Sequence, residues 1–482
     1  MKVLKDDFVL LLILFLAFFL RVYRLYDLMS FWGDVARDFV VARDITLKGE
    51  LPLLGCPSSV PWLHQGAFFI YLLSLPLFIG RYHPLAGGYF IALLGVLATF
   101  LLYKLGKGFF SQKAGLWVAL FYAASPLTVL YERLPYHLSP ISLFTILFFL
   151  SLHASFKKSK YFILSAFIFG LLLQLELSNL VLLPILAILF LDFKKEISLK
   201  FLLLSFLGFL VPWLPKIIYD LKAGFSQTLG FVAWALHKIL PFEFLLGSQE
   251  PGISLGGKLG LISTYFSRIM LWQIPSLALV IFLILSFLVL RNFSLKQRKN
   301  QPGLYLSLLW LVFPILVFLI QGSPSESYMP VLFPLPALLF GVLISSLKGL
   351  KLKLAVSLSV LIVGLNIFTL FSHEFFLITK DSELKEDYNW GPAISLDWEV
   401  ARFIINDGQG QEFNLIPLGT YAYFPSFKQT LTYLSWYLGH QPSDQKTTLK
   451  YFVYSYPDKY DINNVSLVKK FPYLTVAKRI DD

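Results

Sequence analysis

Long apolar segments alternate with short basic loops over the first 371 residues of the chain. A transmembrane helix needs about 17–25 mostly apolar residues, and eleven segments reach or approach that length. A twelfth apolar segment, 66–80, has 15 residues, and we predict that it lies in the membrane interface without crossing. The predicted spans are 8–24, 86–104, 112–131, 136–154, 161–176, 178–191, 199–218, 271–290, 303–321, 328–347 and 353–371.

The placement of lysine and arginine predicts the orientation of this all-α membrane bundle. If 66–80 does not cross, the basic loops fall on the same side as Lys2 and Lys5, whereas the short opposite loops hold only Arg133. Positively charged loops stay on the cytoplasmic side. We therefore predict a multi-pass protein of the cytoplasmic membrane, with its N-terminus inside and its C-terminal part outside.

The polar pattern changes near residue 372, where the last predicted span ends. Residues 395–406 have the periodicity of a helix, with Ser395 as the predicted N-cap and Gly408 as the stop. Four later segments alternate or are rich in β-branched and aromatic residues, which predicts strands. We thus divide the chain into a membrane domain, 1–371, and a small α/β domain outside the membrane, 372–482. The predicted strands are 413–418, 451–456, 465–471 and 474–480.

Composition agrees with a membrane protein and narrows the classes of function. The chain of 482 residues is 57% hydrophobic and 15% charged, with a mean hydropathy of +0.69. The net charge of +12 comes largely from the loops between apolar segments, which indicates membrane topology and not a nucleic-acid surface. The single cysteine, Cys56, excludes a disulfide within the chain.

The densest group of charges follows the first apolar segment, in a loop predicted to face outward. A helix predicted at 34–48 would place Asp34, Arg37 and Asp38 on one face, because residues three and four apart are neighbours. One interpretation is an ion pair that faces lipid headgroups. The other is a catalytic carboxylate, Asp34, that acts as general base towards an acceptor hydroxyl, with Arg37 fixing it.

Further polar residues at the predicted outer ends of the helices are candidates for substrate binding. Each of them also has a plain structural interpretation, as a charged turn, a loop anchor or a helix cap. We find no zinc-type Cys/His spacing and no glycine-rich nucleotide loop, so no metal ligand is predicted, no cofactor is certain, and a divalent metal is left open. Beside Arg37 and Asp38, the candidates are His64, Glu132, Arg133, His137, Asp220, Lys222 and Tyr328.

Three motifs in the first outer loop resemble the GT-C superfamily of membrane glycosyltransferases. The sequence is most similar to the branch with protein O-mannosyltransferases, lipid A aminoarabinose transferases and rhizobial lipopolysaccharide sugar transferases, over about 6–371. Val35 stands where many members have a second acid, and Asp38 where many have tyrosine. The motifs are Gly33-Asp34-x-Ala36-Arg37-Asp38, Gly55-Cys56-Pro57-Ser58-Ser59 and His64-Gln65-Gly66-Ala67-Phe68-Phe69.

The resemblance implies a GT-C bundle and inverting transfer of a sugar from a polyprenyl-phosphate donor to a glycan, lipid or protein acceptor. It places the catalytic acid at Asp34 and the motif arginine at Arg37. The lipid phosphate would leave without a general acid, and its negative charge would be met by some of Arg37, Arg133, His64 and Lys222.

Three other classes remain open from the sequence. A transporter or flippase would be expected to carry charges near the bilayer midplane and inverted repeats, and none are visible. A polymerase or ligase for lipid-linked saccharides would use similar donors but a more basic outer loop than 219–270. A membrane scaffold for the C-terminal domain would need no catalytic acid.

Overall fold

The computed structural model describes residues 2–481 apart from 59, 61, 194–197, 240–252, 295–297, 321–324, 373–390, 420–421, 423–425, 456–459, 461 and 463. The described part of the membrane domain is helical. Short 3-10 helices lie at Leu177–Leu182, Val211–Trp213 and Glu326–Leu332. The α-helices are α1 (Lys2–Val22), α2 (Leu25–Leu28), α3 (Gly33–Lys48), α4 (Phe68–Ile79), α5 (Leu85–Phe109), α6 (Gln112–Ala123), α7 (Pro126–Tyr131), α8 (Ile141–Ser155), α9 (Tyr161–Leu175), α10 (Leu183–Phe193), α11 (Leu199–Leu210), α12 (Leu214–Lys222), α13 (Ser226–Ile239), α14 (Leu255–Met270), α15 (Pro275–Asn292), α16 (Pro302–Ile320), α17 (Pro334–Ser346) and α18 (Gly349–Phe371).

Six helices among the described residues are long and apolar enough to cross a membrane. All six coincide with predicted spans, whereas α4, α8, α9 and the segment Leu177–Phe193 are shorter apolar helices. The predicted number of eleven therefore stays a prediction. The six are Leu85–Phe109, Leu199–Lys222, Pro275–Asn292, Pro302–Ile320, Glu326–Ser346 and Gly349–Phe371.

Local sequence explains where the structure departs from the predicted spans. The predicted span 112–131 is two helices, because the chain leaves the helix at Ala124 and α7 restarts with Pro126 at its first position. The interfacial segment 66–80 becomes α4, with 12 residues. At 1.5 Å per residue it is about 18 Å long, which is short of the roughly 30 Å hydrocarbon layer.

Apolar side chains cover parts of the outer surface as well as the core. On α1, Phe8, Leu11 and Phe15 are 60%, 64% and 68% exposed and recur at helical spacing. Contiguous exposed apolar faces of this kind contact lipid in a membrane protein. The opposite face of α1 is buried, with Ala17 and Leu20 fully enclosed.

The C-terminal part is a small α/β unit with two helices, α19 (Ile394–Gly408) and α20 (Gln429–Tyr437). Its sheet has the order β1-β2-β4-β3; β1 pairs with β2 in parallel, and the other pairs are antiparallel. All four strands were predicted within two residues, but α20 was not, and Ala393 replaces Ser395 at the N-cap of α19. The strands are β1 (Phe413–Pro417), β2 (Leu449–Ser455), β3 (Val465–Lys470) and β4 (Leu474–Ile480).

The C-terminal unit packs directly on α3. Thr430 of α20 donates to the carbonyl of Phe31 at 3.0 Å, and the Arg43 guanidinium stacks over the Trp436 ring at 4.3 Å from its centroid. Gly33 opens α3, and a Cβ there would lie 2.2 Å from a backbone oxygen of Ser426. The predicted division between 1–371 and 372–482 stays a prediction, because the connection 373–390 lies outside the described residues.

Candidate functional site

The first turn of α3 brings the predicted charges together. Arg37 donates from Nη1 to Asp34 Oδ1 at 2.9 Å and from Nη2 to Asp38 Oδ1 at 3.0 Å, so one guanidinium bridges both carboxylates. The Asp34 side chain is 40% exposed and that of Asp38 only 2%. The predicted shared helix face is confirmed. Asp34 is the accessible carboxylate of the pair, at the end of α3 where the helix dipole favours negative charge.

Asp38 has a different environment. Burial raises the pKa of its carboxyl above the ordinary value, while Arg37 and His137 act in the opposite direction. One oxygen, Oδ2, has no hydrogen-bond partner among the described residues. Asp38 therefore positions Arg37 through Oδ1, while its buried Oδ2 stays available as an acceptor or ligand.

The loop after α3 folds back on itself as a short antiparallel pair. Gly55 donates to the carbonyl of Gln65 at 3.0 Å, and Gln65 donates to that of Cys56 at 2.8 Å. Gly66 then donates to the carbonyl of Gln174, at the end of α9. A Cβ at Gly55 would lie 2.1 Å from the oxygen of Gly66, so this pairing requires glycine. The loop is thereby fixed beside α3.

Cys56 lies against His137, which follows α7. Cys56 Sγ is 3.5 Å from His137 Nδ1, and His137 Nε2 is 3.6 Å from Glu176 Oε2. Gln65 donates to the same Glu176 oxygen at 2.7 Å. Asp38, Cys56 and His137 each offer a ligand atom within 4.8 Å of the others, a grouping that could hold a metal ion.

His64 is anchored through its backbone. Its N–H donates to Gln227 Oε1 at 2.9 Å, and its carbonyl accepts from Lys216 Nζ at 2.6 Å. Burial lowers the pKa of the His64 ring, and the charges of Lys216 and Arg37 lower it further. The shift favours the neutral ring, which can offer a hydrogen bond to a phosphate.

Glu132 and Arg133 face α1 and not the charges of α3. Glu132 Oε2 accepts from Arg21 Nε at 2.7 Å, and its Oε1 accepts from Tyr122 at 2.5 Å. Arg133 Nη1 donates to the carbonyl of Leu20 at 2.9 Å. Both side chains are buried. Both are inner partners of the end of α1, which supports the structural interpretation that the sequence left open for them.

Asp220 anchors a loop. It accepts from the backbone N–H of Gln227 at 2.8 Å and of Thr228 at 3.0 Å, in the first turn of α13. This is the structural interpretation left open by the sequence.

Lys222 is exposed at the end of α12, and Tyr328 lies in the 3-10 helix Glu326–Leu332, where its ring stacks on Phe318. Neither is brought to Asp34 by a contact of the described residues.

Three residues outside the predicted candidates have structural importance here. Cys56 and Glu176 both lie close to the candidate His137. Arg21 is fully buried. An arginine at the end of an apolar segment can snorkel outward, so the sequence carries no signal that this one turns inward.

Comparisons with known proteins agree with this architecture. The sequence model of the dolichyl-phosphate-mannose-protein mannosyltransferase family matches residues 65–219. No curated protein matches the chain by sequence. The structure of ArnT from Cupriavidus metallidurans bound to undecaprenyl phosphate is similar, with a TM-score of 0.57, 11% identity, and coverage of 99% of this chain and 98% of that one.

A second similar fold is the Archaeoglobus fulgidus oligosaccharyltransferase. Its apo structure has a TM-score of 0.51 and 12% identity, over 89% of this chain and 64% of that one. The Archaeoglobus fulgidus oligosaccharyltransferase AglB in complex with an inhibitory peptide and a dolichol-phosphate has a TM-score of 0.50 and 11% identity, over 94% of this chain and 70% of that one. The fold is therefore that of the GT-C membrane glycosyltransferases, and the predicted resemblance to this superfamily is confirmed.

Proposed function

We propose that the chain is an inverting glycosyltransferase that moves a hexosyl or pentosyl group from a polyprenyl-phosphate donor to an acceptor at the outer face of the cytoplasmic membrane. One observation carries the proposal. Asp34 is an accessible carboxylate at the start of a helix outside the predicted spans, and Arg37 holds it at 2.9 Å. The accompanying acid, Asp38, is buried and serves Arg37 instead.

The reaction that suits this arrangement is a single displacement. The acceptor hydroxyl oxygen attacks the anomeric carbon as the bond from that carbon to the phosphate oxygen breaks. The hydroxyl proton passes to Asp34, and the lipid phosphate leaves with the bonding electrons. Since attack and departure occur on opposite sides, the anomeric configuration inverts. A phosphate leaves readily, so no protonated group is needed beside it.

The proposed donor-binding residues are those sequence candidates that the fold does not use as buried inner partners. Arg37 can meet developing negative charge, and His64 and Lys222 are retained as candidates for the phosphate. Tyr328 remains a candidate for the sugar or acceptor, whereas His137 is buried between Cys56 and Glu176 and is given no substrate role here. Glu132, Arg133 and Asp220 are already satisfied within the fold, so we give them no substrate role.

The comparisons support a lipid-linked donor in general terms. ArnT is described as bound to undecaprenyl phosphate, and AglB as bound to an inhibitory peptide and a dolichol-phosphate. Both share the fold with this chain at low sequence identity. We extend from them only the class of donor, a polyprenyl phosphate, and the broad class of acceptor, a protein or glycan, with a lipid acceptor also open.

A transfer assay tests the proposal. Purified protein in detergent is given polyprenyl-phosphate sugar labelled in the sugar, together with membranes from cells that lack the chain as the source of acceptor. We expect label to move to a membrane component, release of polyprenyl phosphate, and an inverted anomeric linkage by NMR. Transport of the intact donor across a vesicle without bond cleavage would instead favour a flippase.

The proposed orientation is tested separately by labelling. Lys107 and His440 are both exposed, on α5 and after α20, and Cys56 is buried. A membrane-impermeant thiol reagent on intact cells should label a His440→Cys variant and spare a Lys107→Cys variant, which reacts only after permeabilisation. Equal labelling of both variants in intact cells would contradict the proposed topology.

A further inference from the structure

Three buried side chains from distant parts of the sequence converge beneath Arg37. Asp38 lies on α3, Cys56 in the loop after it, and His137 after α7. They are 1%, 5% and 6% exposed, and their ligand atoms lie within 4.8 Å of one another. A carboxylate, a thiol and an imidazole held this close together are ligand types that a zinc-class cation accepts in one site.

The Asp38 carboxylate points to an additional ligand. Arg37 occupies Oδ1 from two nitrogens, at 3.2 and 3.0 Å. Oδ2 is enclosed and has no hydrogen-bond partner among the described residues. A buried carboxylate oxygen without a hydrogen-bond partner needs an explanation, and a cation shared with the nearby thiol and imidazole supplies one.

We propose that Asp38 Oδ2, Cys56 Sγ and His137 Nδ1 bind a thiophilic divalent cation of the zinc class. Zinc accepts sulfur, nitrogen and oxygen ligands together, whereas magnesium and calcium prefer oxygen alone. With Zn–S of about 2.3 Å and Zn–N of about 2.0–2.1 Å, tetrahedral geometry places sulfur and nitrogen about 3.5 Å apart. The distance between Cys56 Sγ and His137 Nδ1 is 3.5 Å. The fourth position is left for water.

The other side of the His137 ring is also prepared for this role. Its Nε2 faces Glu176 Oε2 at 3.6 Å, and Gln65 holds that same oxygen at 2.7 Å. Histidines that bind metal through one nitrogen usually direct the other N–H to a carboxylate, which fixes the ring and its tautomer. Glu176 is therefore a positioning residue and not a ligand.

The ion would join segments that the chain itself does not connect closely. It links α3 to the loop at Cys56 and to the turn at His137, and through Glu176 to the end of α9. The ion would bind Asp38, whose other carboxylate oxygen accepts from Arg37. It would therefore help to fix Arg37, which in turn contacts Asp34. This inference does not depend on the proposed transfer reaction.

Cobalt is a suitable probe, because a thiolate bound to Co²⁺ gives a charge-transfer absorption band. Full-length protein in detergent, freed of metal, is titrated with Co²⁺ and then with Zn²⁺. We expect one Co²⁺ per chain, a thiolate band, and its loss on addition of Zn²⁺. Cys56 is the only cysteine, so the band identifies this site without any variant.

Two variants and a control sharpen the test. Cys56→Ser should abolish the band, and Glu176→Gln should weaken Co²⁺ binding about 10–100-fold while keeping it. His153→Gln, on α8 beside Phe109, should leave binding unchanged. If the wild-type protein binds no Co²⁺ in stoichiometric amount, or binds it without a thiolate band, the proposal is wrong. Misfolding of a variant would not affect this wild-type result.

Discussion

Replacing Asp34 with asparagine is expected to reduce sugar transfer about 10²–10⁴-fold, the usual contribution of a general base. The amide keeps the size of the side chain and can still accept from Arg37, so the fold should be retained. What is lost is the ability to take the proton of the acceptor hydroxyl. The measurement is the initial rate of label transfer from polyprenyl-phosphate sugar, with the amount of folded protein matched by size-exclusion chromatography.

The matched control lies on the same helix. Asp44 pairs with Arg43 at 2.7 Å and with Lys48 at 2.8 Å, away from the first turn. Asp44→Asn also removes one carboxylate charge from α3, and it should leave the rate within about twofold, in line with the small effect of such pairs. Full activity of Asp34→Asn would remove this residue from the mechanism. Equal loss in both variants would mean that charge on α3, and not a base, is needed.

Replacing Glu132 with glutamine is expected to lower the free energy of unfolding by about 3–5 kcal/mol, because it leaves Arg21 as a buried charge without its counterion. Arg21 is fully enclosed, and its partner is 2% exposed. The same substitution also weakens the hydrogen bond that the Tyr122 hydroxyl donates to residue 132, because an amide oxygen is a weaker acceptor than a carboxylate. Thermal unfolding in detergent, followed by circular dichroism, measures the effect as a lower midpoint temperature.

A partly exposed ion pair that follows α1 in the sequence serves as the comparison. Arg24 and Asp27 are 2.9 Å apart, with side chains 33% and 31% exposed. Asp27→Asn should change stability by no more than about 1 kcal/mol. A double variant, Arg21→Met with Glu132→Leu, should recover much of the loss, because both buried charges are removed together. A small effect of Glu132→Gln alone would mean that water reaches Arg21.

The parts of the structure that depend on local sequence were predictable. The helix at 34–48 is α3, and its three charges share a face because i, i+3 and i+4 spacing is a local property. The strands of the C-terminal unit follow from alternation and β-branched residues. Helix α20 was missed because its polar and aromatic residues lack a clear apolar period, and it is helical where it packs on α3.

Contacts between distant residues were not predictable in the same way. Arg21 and Glu132 are 111 positions apart, and Cys56 and His137 are 81 apart. The sequence identified Glu132, Arg133 and His137 as polar residues at one helix end, but it could not show which neighbour each would face. As a result, the contact between Asp34 and Arg37 was expected from their spacing, whereas the burial of Glu132 and Arg133 against α1 was not.

The seating of the C-terminal unit on α3 bears on how the protein is made. Phe31 contacts Thr430, and Arg43 contacts Trp436. The ribosome adds both partners about four hundred residues after the residues they contact. Until then, the face of α3 that packs against α20 has no partner from the C-terminal unit. Nascent chains should therefore remain inert until α20 has been synthesised, and hybrids between relatives should work only when α3 and α20 come from the same parent.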